Sequence, residues 1–294
     1  MNLLRSFFPS VSTLLHLRLL FSVFLLPVFL FALSQVPEIK LQDTILTFVI
    51  WHLLVYPASN GYNSYFDKDE GSIALIKNPP PVDKSLYYFP LLLDVLALLI
   101  TIYVGWILFF AVLIYGVFSK MYSHPSIRLK KYPVVSFLIV FIFQGAFVYW
   151  STYASISGID TLFGWNLNFT IAGLICSCLI GATYPLTQVY QHEEDSKRGD
   201  KTLSLMLGIR GSFYFSACLF LLSGILLFIY WDRLELIKNF WLFLIVSAPV
   251  FVLFLSWFAK VYRDPANANF KNMSRMTLLS SIMMLIYFGL LNII

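Results

Sequence analysis

Asn60-Gly-Tyr-Asn-Ser-Tyr-Phe-Asp-Lys-Asp-Glu-Gly71 closes a hydrophobic run with two amides and three acids. A segment leaving a membrane core has no structural need for such a cluster. Continued as a helix, Asn60, Asn63, Asp67 and Glu70 follow spacings of three and four and share one face. Amide oxygens and carboxylates together are hard oxygen ligands, the kind that hold a hydrated magnesium ion against phosphate.

The surrounding chain reads as membrane. Hydrophobic residues make up 59% of it and charged residues 12%, with a mean hydropathy of +0.80, far from the soluble average of roughly a quarter charged. A crossing takes about 20 apolar residues, so 294 residues leave almost nothing for a soluble domain. Apolar runs place nine spans at roughly 14–35, 42–60, 86–104, 106–120, 133–155, 167–190, 210–230, 238–260 and 274–293. The first is read as a retained span, since no small-residue cleavage site follows Leu19 to Leu33. The third and fourth, parted by little more than Gly105, should form a tight hairpin, with the fourth short.

The formal charge of +5 matters less than where it lies, and no nucleic-acid partner is expected. With the N-terminus in the cytoplasm, only Lys40, Arg233 and Lys238 fall on the opposite side; the other seventeen of the 20 Lys and Arg residues face the cytoplasm. That orientation gives a multi-pass cell-membrane protein whose acidic clusters meet cytoplasmic magnesium and phosphorylated metabolites. Cys176, Cys178 and Cys218 lie in apolar runs without zinc spacing and read as core thiols. Lys77-Asn-Pro-Pro-Pro-Val-Asp-Lys84 reads equally as a lid or stiff connector and as a solvated linker.

A second acidic cluster ends another apolar run: Tyr184-Pro-Leu-Thr-Gln188-Val-Tyr-Gln191-His-Glu193-Glu194-Asp195-Ser-Lys-Arg-Gly199-Asp200. On a continued helix Tyr184, Gln188, Gln191 and Asp195 share a face. Two acidic helix ends that meet repel unless cations lie between them. Bridging metal held by Gln191, Glu193, Glu194 and Asp195 together with the first cluster resolves this, and a diphosphate is its natural shared ligand. Arg128, Lys130, Lys197, Arg198 and Lys201 would neutralise the remaining charge.

At three places the chain resembles the UbiA superfamily of intramembrane prenyltransferases. Asn63-Ser-Tyr-Phe-Asp67-Lys-Asp-Glu-Gly71 is similar to its first signature. Gln191-His-Glu193-Glu-Asp195 followed by Gly199-Asp-Lys-Thr-Leu203 is similar to its second. Tyr122-Ser-His-Pro-Ser-Ile-Arg-Leu-Lys130 is similar to the stretch between spans four and five. Two departures stand out: Gln191 occupies the place of the usual first Asp of the second motif, and Ser64 follows Asn63 where Asp is common.

The resemblance implies an all-α membrane protein. Nine transmembrane helices would form a UbiA-like bundle around a central lipid-open cavity, with residues 1–294 as one domain. It implies Mg2+ as cofactor, an isoprenyl diphosphate and a small, aromatic, quinone-precursor-like acceptor as substrates, and transfer by ionisation of the allylic bond. Asn63, Asp67 and Asp195 become the catalytic residues, and Tyr122 and Ser123 join the diphosphate contacts. A membrane terpene cyclase of the same fold is the sibling reading, and an isoprenoid or anionic-lipid binding or transport protein the reading from another class. The polar residues cluster at helix ends on one side, away from the midplane where transporters bind. Asp94, His52 and Gln144 are polar groups inside spans, for which interhelical bonding is the favoured role.

Overall fold

The computed structural model describes residues 8–68, 71–73, 76–158 and 165–293, the side chain of Arg198 excepted. Among these residues the architecture is helical, with one isolated bridge between Ile73 and Ile76. In chain order the elements are α1 (Val11–Ser34), α2 (Leu41–Asp67), α3 (Ser85–Thr101), α4 (Trp106–Ser123), α5 (Pro133–Ser157) and α6 (Leu167–Thr187). A short polar helix α7 (His192–Arg198) follows. Then come α8 (Leu203–Arg233), α9 (Ile237–Arg263) and α10 (Phe270–Leu290). Eight of the described helices are long and apolar enough to cross a membrane; α3 is apolar but only 17 residues long. The tight hairpin at Gly105 is present, but α3 is its shorter arm and α4 runs on to Ser123.

Several helices depart from the α ladder. Arg18 is left-handed (φ 50, ψ 48) and breaks α1 between Val11–His16 and Leu19–Ser22. Val49–Val55 in α2 and Phe141–Ala146 in α5 are wound as π-helix. Gly208 (φ 70, ψ 169) breaks α8.

The chain divides into two compact units. One comprises the described residues of Met1–Leu26, Val36–Leu129 and Ser151–Ile159; the other comprises those of Pro27–Gln35, Lys130–Trp150 and Asp160–Ile294. In the first, Leu17, Ala58 and Leu93 bring α1, α2 and α3 together. A Cβ on Gly61 would lie 2.9 Å from Leu17 Cδ2 and Pro90 Cγ, so any larger residue would displace these neighbours. In the second unit, Gly173, Ser177 and Gly181 form a small-residue row on α6, spaced by four, against α5. Trp150 covers Gly173, Phe141 covers Gly181, and Gly145 meets Ser177. The Ser177 hydroxyl accepts the Ala146 N–H at 2.9 Å, a donor that the π-turn has taken out of the α ladder.

The proline-rich stretch is fastened to the start of α1. Ser12 Oγ donates to the Pro81 carbonyl (2.7 Å), and a His16 ring nitrogen lies 2.8 Å from the Pro80 carbonyl. Asp83 receives the hydroxyls of Ser10, Thr13 and Ser85 and the Ser85 N–H. Burial alone would push the Asp83 carboxyl up, but those hydrogen bonds outweigh it and hold it below its ordinary value. Of the readings of this stretch, lid or stiff connector against solvated linker, these contacts favour the connector, anchored on α1.

Two outcomes follow. Gly145→Ala places a methyl 2.4 Å from the Ser177 Cα and should destabilise the detergent-solubilised protein by about 1–3 kcal/mol; an unchanged thermal midpoint would contradict the close approach. Because the folded Asp83 carboxyl titrates below its unfolded value, its contribution is complete above the unfolded value and disappears as pH falls through the folded one. The stability gap between wild type and Asp83→Asn should therefore be full at neutral pH and close in acid. A gap independent of pH would count against the clasp.

Candidate functional site

The first acidic cluster is set by how α2 ends. After the π-turns, Tyr56–Asp67 is regular α-helix, with Pro57 directly following the π-wound stretch, where the ladder is already interrupted. Lys68 then turns left-handed (φ 50, ψ 45), its N–H closing on the Ser64 carbonyl at 3.0 Å. The shared face consequently stops at Asp67. Glu70, expected to continue that face, lies outside the described residues.

Along this face the amides have different surroundings. Asn60 Nδ2 donates to the Leu17 carbonyl (3.3 Å), and Arg18 donates to the Asn60 carbonyl (3.2 Å), so Asn60 covers the break in α1. Asn63 Oδ1 accepts the hydroxyl of Ser123, the last residue of α4, at 2.8 Å. One turn back, Ser119 donates to Ser59 at 2.7 Å. The half-buried Asp67 stands at the C-terminal end of its helix, where the macrodipole opposes a carboxylate. Such a position suits a group that faces a cation.

The stretch between α4 and α5 bends sharply after Ser123. Arg128 is left-handed (φ 45), and its N–H closes on the His124 carbonyl at 2.7 Å. Lys130 sits in the 3-10 turn Leu129–Lys131. Tyr122, Arg128 and Lys130 are half-buried, and Ser123 is buried. Of the polar groups inside spans, His52 faces the Ser22 carbonyl (3.0 Å) and stacks on Phe48, a packing role. Asp94 pairs with Lys120 at 2.5 Å.

The second cluster, in the other unit, is built differently from the expectation. No continuous helix runs from Tyr184 to Asp195. Pro185 lacks the N–H that the ladder needs, so the α-helix stops at Thr183 and a 3-10 turn, Pro185–Thr187, takes its place. Tyr184, Gln188, Gln191 and Asp195 therefore do not lie along one helix. Leu186 and Val189 anchor the turn in a core with Phe213, Phe254, Trp257 and Met273.

A new helix, α7, then starts with Gln191 as its N-cap and Glu193, Glu194 and Asp195 in its first turn, where the dipole favours carboxylates. Glu193 and Lys197 pair at 2.7 Å on an exposed face. The Lys197 hydrogen bond lowers the Glu193 carboxyl, and Glu193 in turn raises Lys197. Gln191, Glu194 and Asp195 are half-buried, Lys201 is exposed, and the Arg198 side chain lies outside the described residues.

One network behind α7 was invisible in the sequence. A His192 ring nitrogen meets Ser204 Oγ at 2.7 Å, Ser204 Oγ meets Ser212 Oγ at 2.8 Å, and the Ser204 N–H donates to Gln188 (3.2 Å). Burial lowers the His192 imidazole below its ordinary value, favouring its neutral form. Only the Gly199-x-Lys-Thr-Leu203 similarity pointed at this loop.

Among the described residues, no three His, Cys, Asp or Glu side chains gather into a group that would hold a metal by themselves. The donors present fit magnesium in another way. Mg2+ usually takes one or two carboxylates, keeps water, and completes its shell with substrate phosphates. Asn63 with Asp67, and Gln191 with Glu194 and Asp195, are donor sets of that size and hardness.

The profile of the UbiA prenyltransferase family matches residues 19–282. No curated protein matches the chain by sequence. Among solved structures, a UbiA homolog from Archaeoglobus fulgidus bound to DMAPP and Mg2+ superposes with a TM-score of 0.69 at 18% identity, covering 96% of this chain and 99% of its own. An apo UbiA homolog from Aeropyrum pernix K1 gives 0.68 at 15% identity, covering 94% and 98%. A digeranylgeranylglyceryl phosphate synthase gives 0.61 at 20% identity, covering 96% of each chain. At these identities the structural likeness speaks for the fold.

Proposed function

The chain belongs to the UbiA prenyltransferase family, and from that membership we propose Mg2+-dependent transfer of an isoprenyl group from its diphosphate to a small acceptor. The observation that carries the proposal is the α2 end: an amide held by Ser123 and, one turn on, a carboxylate placed against its own helix dipole. The Archaeoglobus fulgidus homologs bound to GPP or DMAPP with Mg2+ support the substrate and the metal.

On this reading, Asn63 and Asp67 in one cluster and Gln191, Glu194 and Asp195 in the other are the residues that would hold Mg2+ for an isoprenyl diphosphate. Glu70 and Glu193 extend these ligand sets as the motifs imply, while Asn60 serves the set from its place at the α1 break. Bound Mg2+ would neutralise the diphosphate and stabilise the leaving group as the allylic C–O bond breaks. Tyr122, Arg128, Lys130, Lys197, Arg198 and Lys201 supply donors and positive charge to phosphate oxygens, while Ser123, whose one hydroxyl proton goes to Asn63, serves the site through that amide. A small aromatic acceptor of the quinone-precursor type then attacks the allylic carbon, and the aromatic-rich bundle shields the cation from water. Nine spans with a cytoplasmic N-terminus would put both clusters on the cytoplasmic face, in keeping with the Lys/Arg distribution.

The test is diphosphate release by the purified protein in detergent, with geranyl, farnesyl and geranylgeranyl diphosphates, with and without Mg2+ and aromatic acceptors. Release that needs both Mg2+ and acceptor supports transfer; release without acceptor would favour cyclisation. Tight Mg2+-dependent binding with no release would favour a binding protein, the reading that Gln191 makes concrete.

Asp67→Ala and Asp195→Ala should each lower kcat by about 10^2–10^3, the scale for losing one preorganised charge-stabilising group. Asp200→Ala should cost less. Near-native turnover in Asp67→Ala would overturn the two-cluster reading. Gln191→Asp adds a charged ligand and should lower the Mg2+ concentration for half-maximal turnover; no shift in a Mg2+ titration would take Gln191 out of the metal shell.

A further inference from the structure

Asp94 and Lys120 form an ion pair inside apolar helices. Lys120 Nζ lies 2.5 Å from Asp94 Oδ2, and both charged atoms are buried. The ammonium also lies 4.9 Å from the centre of the Tyr62 ring. The pair thus joins α3 (Asp94), α4 (Lys120) and α2 (Tyr62).

Such a pair is a costly way to hold helices together. Taking two charges out of water usually costs more than their attraction returns, and apolar residues of similar volume often serve stability as well or better. What an apolar pair cannot supply is direction. Contacts between apolar helices in lipid tolerate sliding, because the tails are as apolar as the side chains. A one-turn slip of α4 along α2 moves a residue by about 5.4 Å; Lys120, tied to Asp94 of α3 and lying against the Tyr62 ring of α2, would lose both partners in such a slip.

The neighbours of the pair show what the register is for. Lys120 lies between Ser119, whose hydroxyl reaches Ser59, and Ser123, whose hydroxyl reaches Asn63 Oδ1. Tyr62 immediately precedes Asn63 in the chain. We propose that the Asp94–Lys120 ion pair is a positioning device for the first acidic cluster, setting α4 against α2 so that Ser123 orients the Asn63 amide. The proposal rests on the diphosphate-binding function argued above only for its consequence, since the register itself is a property of α2, α3 and α4.

Ser59→Cys and Ser119→Cys, introduced together where Cys176, Cys178 and Cys218 are replaced by alanine, report the register as a disulfide formed under mild oxidation. The same protein is assayed for Mg2+-dependent binding of geranyl thiodiphosphate. Asp94→Leu with Lys120→Met removes the pair while keeping an apolar filling, and Asp94→Glu with Lys120→Arg keeps an ion pair. The leucine–methionine variant should keep its thermal midpoint, yet cross-link several-fold less and bind the analogue at least ten-fold more weakly. The glutamate–arginine variant should recover most of both.

If the leucine–methionine variant cross-links and binds like its parent, or if it simply unfolds while glutamate–arginine fails to restore cross-linking, the positioning role is wrong. If cross-linking depends on the pair but the parent binds no diphosphate analogue, the register stands and the prenyl-transfer reading falls.

Discussion

The constraint behind every unusual feature of this chain is that hydrocarbon offers no water to an unpaired backbone group, so each must find its partner within the protein. An uninterrupted helix satisfies this without help, and an interrupted one needs a side chain at the break. At Arg18 the Leu17 carbonyl is taken by Asn60, and at the α5 π-turn the Ala146 N–H is taken by Ser177. At Gly208 the carbonyl is taken by the Ser212 hydroxyl, at 2.8 Å. Polar side chains inside the spans are placed first by this requirement, and chemistry is added to what it leaves.

The two acidic clusters satisfy electrostatics in opposite ways. Glu193, Glu194 and Asp195 lie in the first turn of α7, on the favourable end of the dipole, and Lys197 pairs with Glu193. Asp67 lies on the unfavourable end of α2. The helix does little to stabilise its charge, so a bound cation has more to contribute there. Three basic residues, Arg18, Lys68 and Arg128, also adopt the left-handed backbone that non-glycine residues rarely take. Arg18 breaks α1 beside Asn60 and Lys68 ends α2 after Asp67, while Arg128 lies in the turn between α4 and α5.

Much of the fold was legible because lipid enforces a simple pattern. Runs of apolar residues located most helix ends to within four residues, missing by seven at Leu203 and at Asp67, where polar residues continue the helix, and Gly105 marked the α3–α4 hairpin. The interruptions were less legible. Nothing in Leu17-Arg18-Leu19 announces a left-handed residue, and π-winding in Val49–Val55 leaves no mark in composition. Pro185 was visible, and a ladder needing its N–H had to fail there; reading the helix through it placed Gln188 and Asp195 on a face that does not exist. Within the site, the residue types and their order were readable. The partners were not: that Ser123 serves Asn63, or that His192 leans on Ser204, depends on how helices distant in sequence meet.

Identities of 15–20% alongside TM-scores of 0.61–0.69 fit the same physics. Apolar side chains facing lipid or one another can be exchanged with little penalty, so a bundle keeps its shape while most of its sequence drifts. Directional groups cannot be exchanged so freely. In this chain Asn60 covers the α1 break, His52 faces Ser22, Ser177 serves the α5 π-turn, and Asp94 holds Lys120. Each of these has a structural occupation. Asn63 and Asp67 stand at no such gap in the ladder: one is oriented by a serine from another helix, and the other carries its charge against the dipole. A carboxylate kept on the unfavourable end of its own helix dipole is the physical reason to seek a cation at the end of α2.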